Sequence, residues 1–166
     1  LASTNGRQSP AINAARLKLA AATGDHATVE QWLAQNNPEA TPRLMADMFF
    51  LAYNNGKTGL ATIIAEHFHA KENSTLSRTC LAQAYVKGGH YEHAAQLLRD
   101  VSPRTPDDES SYLLALAKLS PTNETYRKEL ADYAGTRLRS DMPRKEKMAL
   151  VYALITAKQV EPAMPY

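Results

Sequence analysis

Three glycines constrain this chain more than any other feature. Gly24, Gly56 and Gly89 stand 32 and then 33 residues apart, and each closes one apolar helical run and precedes another. Glycine accepts the left-handed backbone with which helices commonly end, so each marks a C-cap and a reversal of the chain. Self-similarity at such a period is the mark of stacked helix-turn-helix units, none of which buries its apolar face without a neighbour.

The rest of the chain fits that reading. Strand signals are few, alanine and leucine dominate, and apolar residues recur at helical spacing, as in Leu113, Leu116, Ala117 and again in Leu150, Val151, Leu154, Ile155. Prolines 38, 42, 103, 106, 121 and 143 mark further boundaries, because proline suits a first helical turn and not a helix interior. The pattern predicts helices over 10–23, 26–35, 42–54, 57–70, 74–87, 91–100, 108–119, 123–139 and 144–157, with another opening near 160. Very short turns between them require antiparallel packing, so the expected class is all-α.

The unit from Ser74 to Pro106 carries the most specific pattern. Leu81-Ala82, Tyr85, Gly89, Tyr91, Ala94, Leu98 and Pro106 stand where a tetratricopeptide repeat has its Leu-Gly pair, first-helix tyrosine, turn glycine, following aromatic, small crossing residue, second-helix leucine and terminal proline. The unit resembles that family, with Ala82 replacing the glycine. Its neighbours match less fully. Met48, Ala52, Gly56, Ala61 and Phe68 hold corresponding places in the unit before, where Phe49 occupies a small-residue position. The first unit keeps Gly24, Val29 and Leu33 but has Arg16 where leucine is expected. After Pro106, Tyr112, Leu116 and Leu119 fit a first helix, the second helix runs long, and Leu150, Leu154 and Ala163 open a further unit. The resemblance implies a right-handed α-solenoid of units over 10–41, 42–73, 74–106, 107–142 and a truncated 143–166. Residues 1–9, which lack an initiator methionine, are expected to be a tag or linker remnant.

Composition bounds the chemistry. A formal charge of +2 gives no footprint for a polyanion, and aromatics are sparse for base stacking, so nucleic acid is not an expected partner. No apolar run approaches the roughly 20 residues that cross a bilayer, so no membrane insertion is expected. The single Cys80 excludes an internal disulfide and a multi-cysteine metal centre; a buried filler is its expected role. Gly56-Lys57-Thr58 resembles the end of a phosphate loop, but Leu51 stands where the motif needs glycine. His90 and His93, with His67 and His69 one unit earlier, have a spacing that could grip a metal but lack a carboxylate or cysteine shell. Asn73-Ser74-Thr75 and Asn123-Glu124-Thr125 are glycosylation tripeptides, relevant only in a eukaryotic secretory route. Neither an enzyme nor a cofactor is expected.

Binding is the expected role. In the tetratricopeptide arrangement the first helices line a concave face, which places Arg43, Asp47, Phe50, Tyr53 and Asn54, then Thr79, Gln83, Val86 and Lys87, then Lys145, Met148 and Tyr152 on it. Aromatics beside polar groups suit an extended peptide or a partner helix. The degenerate, alanine-rich repeats are similar to the periplasmic arrays of Pel-type exopolysaccharide export proteins. That resemblance implies a periplasmic scaffold docking a polysaccharide-modifying enzyme; the alternative is a cytoplasmic peptide-sensing regulatory or chaperone-like module. Exposed end repeats are expected to self-associate.

Overall fold

A computed structural model describes residues 9–35, 37–137 and 144–157, the side chains of 145, 146 and 156 excepted. Those residues form helices α1 (Pro10–Thr23), α2 (His26–Ala34), α3 (Pro42–Asn54), α4 (Thr58–Lys71), α5 (Thr75–Lys87), α6 (Tyr91–Leu98), α7 (Pro106–Leu119), α8 (Glu124–Arg137) and α9 (Arg144–Thr156). Among the described residues there is no strand, and the chain is all-α. No described helix is long and apolar enough to cross a membrane. The expected helix near 160, the end of the helix expected to reach 139, and all but the last residue of the expected remnant 1–9 lie outside the described residues.

The turn glycines behave as their spacing predicts. Gly24, Gly56 and Gly89 have φ of 85°, 72° and 79°. In each turn the amide after the glycine reaches back five residues: Asp25 N–H to Ala20 O at 2.9 Å, Lys57 N–H to Ala52 O at 2.9 Å, and His90 N–H to Tyr85 O at 2.8 Å. This is the long bond of a Schellman turn, made three times at one register. Five residues beyond each glycine stand Val29, Ala61 and Ala94, all fully buried. A small or narrow side chain there lets the second helix lie close to the first. Phe68, expected to be the counterpart of Leu98, is out of register by three residues. Ala65 holds the equivalent place, and Phe68 is buried one turn later.

The chain divides into two compact units, 1–84 and 85–166. In the first, α1 packs against α2 and α3, and α3 against α4. Its core is Leu17 from α1, Met45, Met48, Phe49 and Ala52 from α3, and Leu60, Ala61, Ile64, Ala65 and Phe68 from α4. Phe49, at a small-residue position, is fully buried, with its ring edge-on to that of Phe50 at 5.1 Å. Lys71 Nζ donates to the carbonyls of Asn37 and Ala40, tying the end of α4 to the segment that enters α3. Ser77, fully buried, bonds reciprocally with Ser74 and donates to Glu72 O, which fixes the start of α5.

In the second unit α7 packs against α6, α8 and α9, and α8 against α9. Leu98, Leu113, Leu116, Leu130, Leu150 and Leu154 fill its core. Two boundaries differ from expectation by two residues, and each has a single cause. Helix α7 starts at Pro106, not 108, because Thr105 Oγ1 accepts from Asp108 N–H while the buried Asp108 carboxylate accepts from Thr105 N–H, a capping box. Helix α6 stops at Leu98, not 100, because the Arg104 guanidinium donates to Leu98 O at 2.7 and 2.9 Å and to Arg99 O at 2.8 Å.

A pair of substitutions tests the turns. Gly56→Ala places a Cβ in open space but at positive φ, so it should cost about 1 kcal/mol in urea unfolding. Gly135→Ala, also in open space but inside α8, should add roughly 0.5–1 kcal/mol.

Candidate functional site

The first candidate is the exposed flank of α3. Arg43, Asp47, Phe50 and Asn54 recur at the spacing of one helical stripe. Arg43 and Asn54 are exposed, and Phe50 keeps 39% of its surface in solvent. Asp47 is half-buried and ion-paired with Lys18 of α1 at 2.5 Å, which couples the two first helices along this face. Tyr53, also half-buried, leans its ring toward Phe49 at 5.4 Å. A tier of rings, with Phe49 inside and Phe50 and Tyr53 flanking it, thus comes to the surface between polar groups.

The other expected binding residues fare unequally. Gln83 is half-buried, in the part of α5 belonging to the first unit. Thr79 is a correction: it is buried, and its hydroxyl donates to Thr75 O at 2.9 Å, so it serves the helix and not the surface. Threonine in a helix commonly turns its hydroxyl back on the preceding turn in this way. Lys87 and Tyr152, both exposed, belong to the second unit, as does the half-buried Val86. Met148 is exposed on α9, and the side chain of Lys145 lies outside the described residues.

Cys80 lies in the core, not on a binding surface: it is fully buried, and burial pushes its thiol up to about 12. The histidines divide. His90 and His93 are exposed, with ring centroids 6.1 Å apart and Tyr85 within 6.2 and 5.3 Å of them. His69 bonds to Ser77 Oγ, and burial together with Arg78 lowers its pKa. Among the described residues no group of three His, Cys, Asp or Glu side chains could hold a metal ion.

The second candidate was not anticipated from the sequence. In the second unit, Arg104 lies 4.0 Å over the ring of Tyr112 and 5.4 Å from that of Tyr133, the two rings meeting edge-on at 5.5 Å. Tyr112 donates its hydroxyl to Glu129, and Tyr133 donates to Glu109. Glu129 also accepts a two-pronged pair of bonds from Arg99, at 2.9 and 3.0 Å. Tyr126 donates to Glu92 at 3.2 Å. Beside this network is an open depression of about 600 Å³, lined by Tyr112, Tyr133 and the α8 residues Glu124, Lys128, Glu129 and Asp132 among others. One signal could have found it: Tyr126, Glu129 and Tyr133 share a face of α8 by their spacing.

The electrostatics mark this network as a lock. Burial, then the bond to Glu109, pushes Tyr133 up to about 12, and burial with Glu129 likewise raises Tyr112. Burial opposes ionisation of Glu129, but bonds from Arg99 and Tyr112 outweigh it and hold its carboxyl below the ordinary value. These shifts run away from neutrality, opposite to the tuning that general acid–base catalysis uses. Arg104 over the Tyr112 ring adds a partly desolvated cation–π contact, on the order of 1–2 kcal/mol.

The signs of the shifts predict two pH limbs. Glu129, lowered in the fold, contributes stability that is full above its ordinary value of 4.5 and is lost as pH falls below it. Tyr133, raised in the fold, contributes stability that is full below 10 and is lost as pH rises toward about 12. Thermal melts across pH should therefore show a shallower acid limb for Glu129→Gln and a shallower alkaline limb for Tyr133→Phe. As for known proteins, no family model, curated protein or solved structure matches this chain.

Proposed function

We propose that the chain is a protein-binding scaffold, a right-handed α-solenoid of tetratricopeptide-like hairpins that offers its first helices to a partner. The observation that carries the reading is the turn made three times at one register, with a left-handed glycine, a five-residue amide bond and a buried small residue after it. The packing of α1 on α3 and of α7 on α9, first helix on first helix, supports it from each unit separately.

The Arg43–Asp47–Phe50–Asn54 stripe is the binding face. Phe50 is a rigid apolar anchor, and the charged and amide groups around it supply hydrogen bonds to an extended peptide backbone or to a partner helix. In the periplasmic version of this reading the stripe receives a polysaccharide-modifying enzyme of an exopolysaccharide export system. In the cytoplasmic alternative it receives a regulatory peptide.

Selection of a displayed peptide library on the intact chain tests the proposal. Enriched peptides should lose about tenfold in affinity with Phe50→Ala, the cost of truncating one anchor of about 1.4 kcal/mol. Phe50 is already exposed, so the fold should survive, and circular dichroism checks that it does. Binders indifferent to changes at Arg43, Asp47, Phe50 and Asn54 alike would overturn the assignment of this face.

A further inference from the structure

The turn between α3 and α4 holds an asparagine–glycine pair, Asn55-Gly56, with Asn55 exposed. Glycine has no side chain, so its amide nitrogen approaches a preceding carboxamide with the least hindrance. In the closed turn that approach is blocked. Asn55 Nδ2 donates to Leu51 O at 2.8 Å, Gly56 N–H to Tyr53 O at 3.2 Å, and Lys57 N–H to Ala52 O at 2.9 Å. Closing a ring between the Gly56 nitrogen and Asn55 Cγ requires that nitrogen to be nearly eclipsed with Cβ about the Cα–C bond. With ψ of Asn55 at 12°, it is nearly eclipsed with the nitrogen of Asn55 instead. The turn therefore holds the two reacting atoms apart.

We infer that Asn55 is a site of spontaneous deamidation, gated by the opening of this turn. When the turn opens, the Gly56 nitrogen gives its proton to solvent and attacks Asn55 Cγ. The new C–N bond forms as the Cγ–Nδ2 bond breaks, and the carboxamide nitrogen leaves as ammonia. Water then adds to either carbonyl of the five-membered imide and opens it, giving aspartate or isoaspartate. Water is the sole co-reactant, and no electrons change hands. Neither product lets the turn close as before. The Leu51 carbonyl loses its Nδ2 donor, and aspartate sets a negative charge at the C-terminal end of α3, where the helix dipole is already negative. Isoaspartate also adds one methylene to the main chain ahead of Gly56, which puts the bond from Lys57 to Ala52 out of register. Each opening thus carries a chance of an irreversible loosening of the α3–α4 hairpin.

Peptide mapping by mass spectrometry, on the whole chain aged at mildly alkaline pH with and without concentrated urea, tests this. The peptide holding Asn55 should acquire the mass of a carboxyl in place of the carboxamide, about tenfold or more slowly in the folded chain than in urea. Asn5-Gly6, the same dipeptide, falls on a different peptide and is scored separately. Leu60 is fully buried in the first turn of α4, so Leu60→Ala loosens the hairpin without touching the reacting pair. It should speed the folded reaction about tenfold and leave the reaction in urea unchanged. Leu60→Val takes its place should Leu60→Ala fail to fold. Asn55→Gln, which would need a larger ring, should not react, and Asn55→Asp should unfold at lower urea than Asn55→Gln. The inference is overturned if Asn55 reacts as fast in the folded chain as in urea, if only the chain in urea reacts, or if the Leu60 variant leaves the folded rate unchanged.

Discussion

The structure depends first on how three helices end. A helix that stops leaves carbonyls without donors, and here the amide following a left-handed glycine supplies one from five residues on. That bond fixes where the chain turns and the direction in which the next helix sets off. Once the turn is fixed, the fifth residue after it falls on the seam between the helices, which is why Val29, Ala61 and Ala94 are all buried. The apolar cores of α1–α4 follow from this placement. Phe49 and Phe68 fill space that the turn has already defined.

What was legible in the sequence was what is local. Glycines 24, 56 and 89 and prolines 10, 42 and 106 act on their own backbones, so they bound helices whatever packs around them. The end of α6 was not legible, because Arg104 sets it from six residues away through the Leu98 carbonyl. The start of α7 is encoded by Thr105-Pro106-Asp107-Asp108, a capping box with aspartate where glutamate is usual, so the ordinary Glu/Gln signature does not mark it.

The two candidate sites divide along the same line. The α3 stripe follows from helical spacing alone, and Arg43, Phe50 and Asn54 on it are exposed. Thr79 obeyed the same spacing and is nevertheless buried, since burial depends on neighbours that periodicity does not reveal. The Arg99–Arg104–Tyr112–Glu129–Tyr133 network draws partners from up to 30 residues apart, and no single stretch of sequence announces it. Its effect is mechanical. It clamps the loop after α6 to α7 and α8 with bonds to charged groups, the stronger kind, in the part of the chain where the glycine-turn register is absent.

Cys80 gives the chain an internal clock. It is the only cysteine, it is fully buried in the middle of α5, and its thiol is held in the unreactive protonated form. A thiol reagent in solution reaches it only when that helix opens, so the rate of labelling under native conditions measures how often α5 comes away from its neighbours. Oxidants are turned aside by the same burial, and the sulfur remains reduced for as long as the helix stays seated.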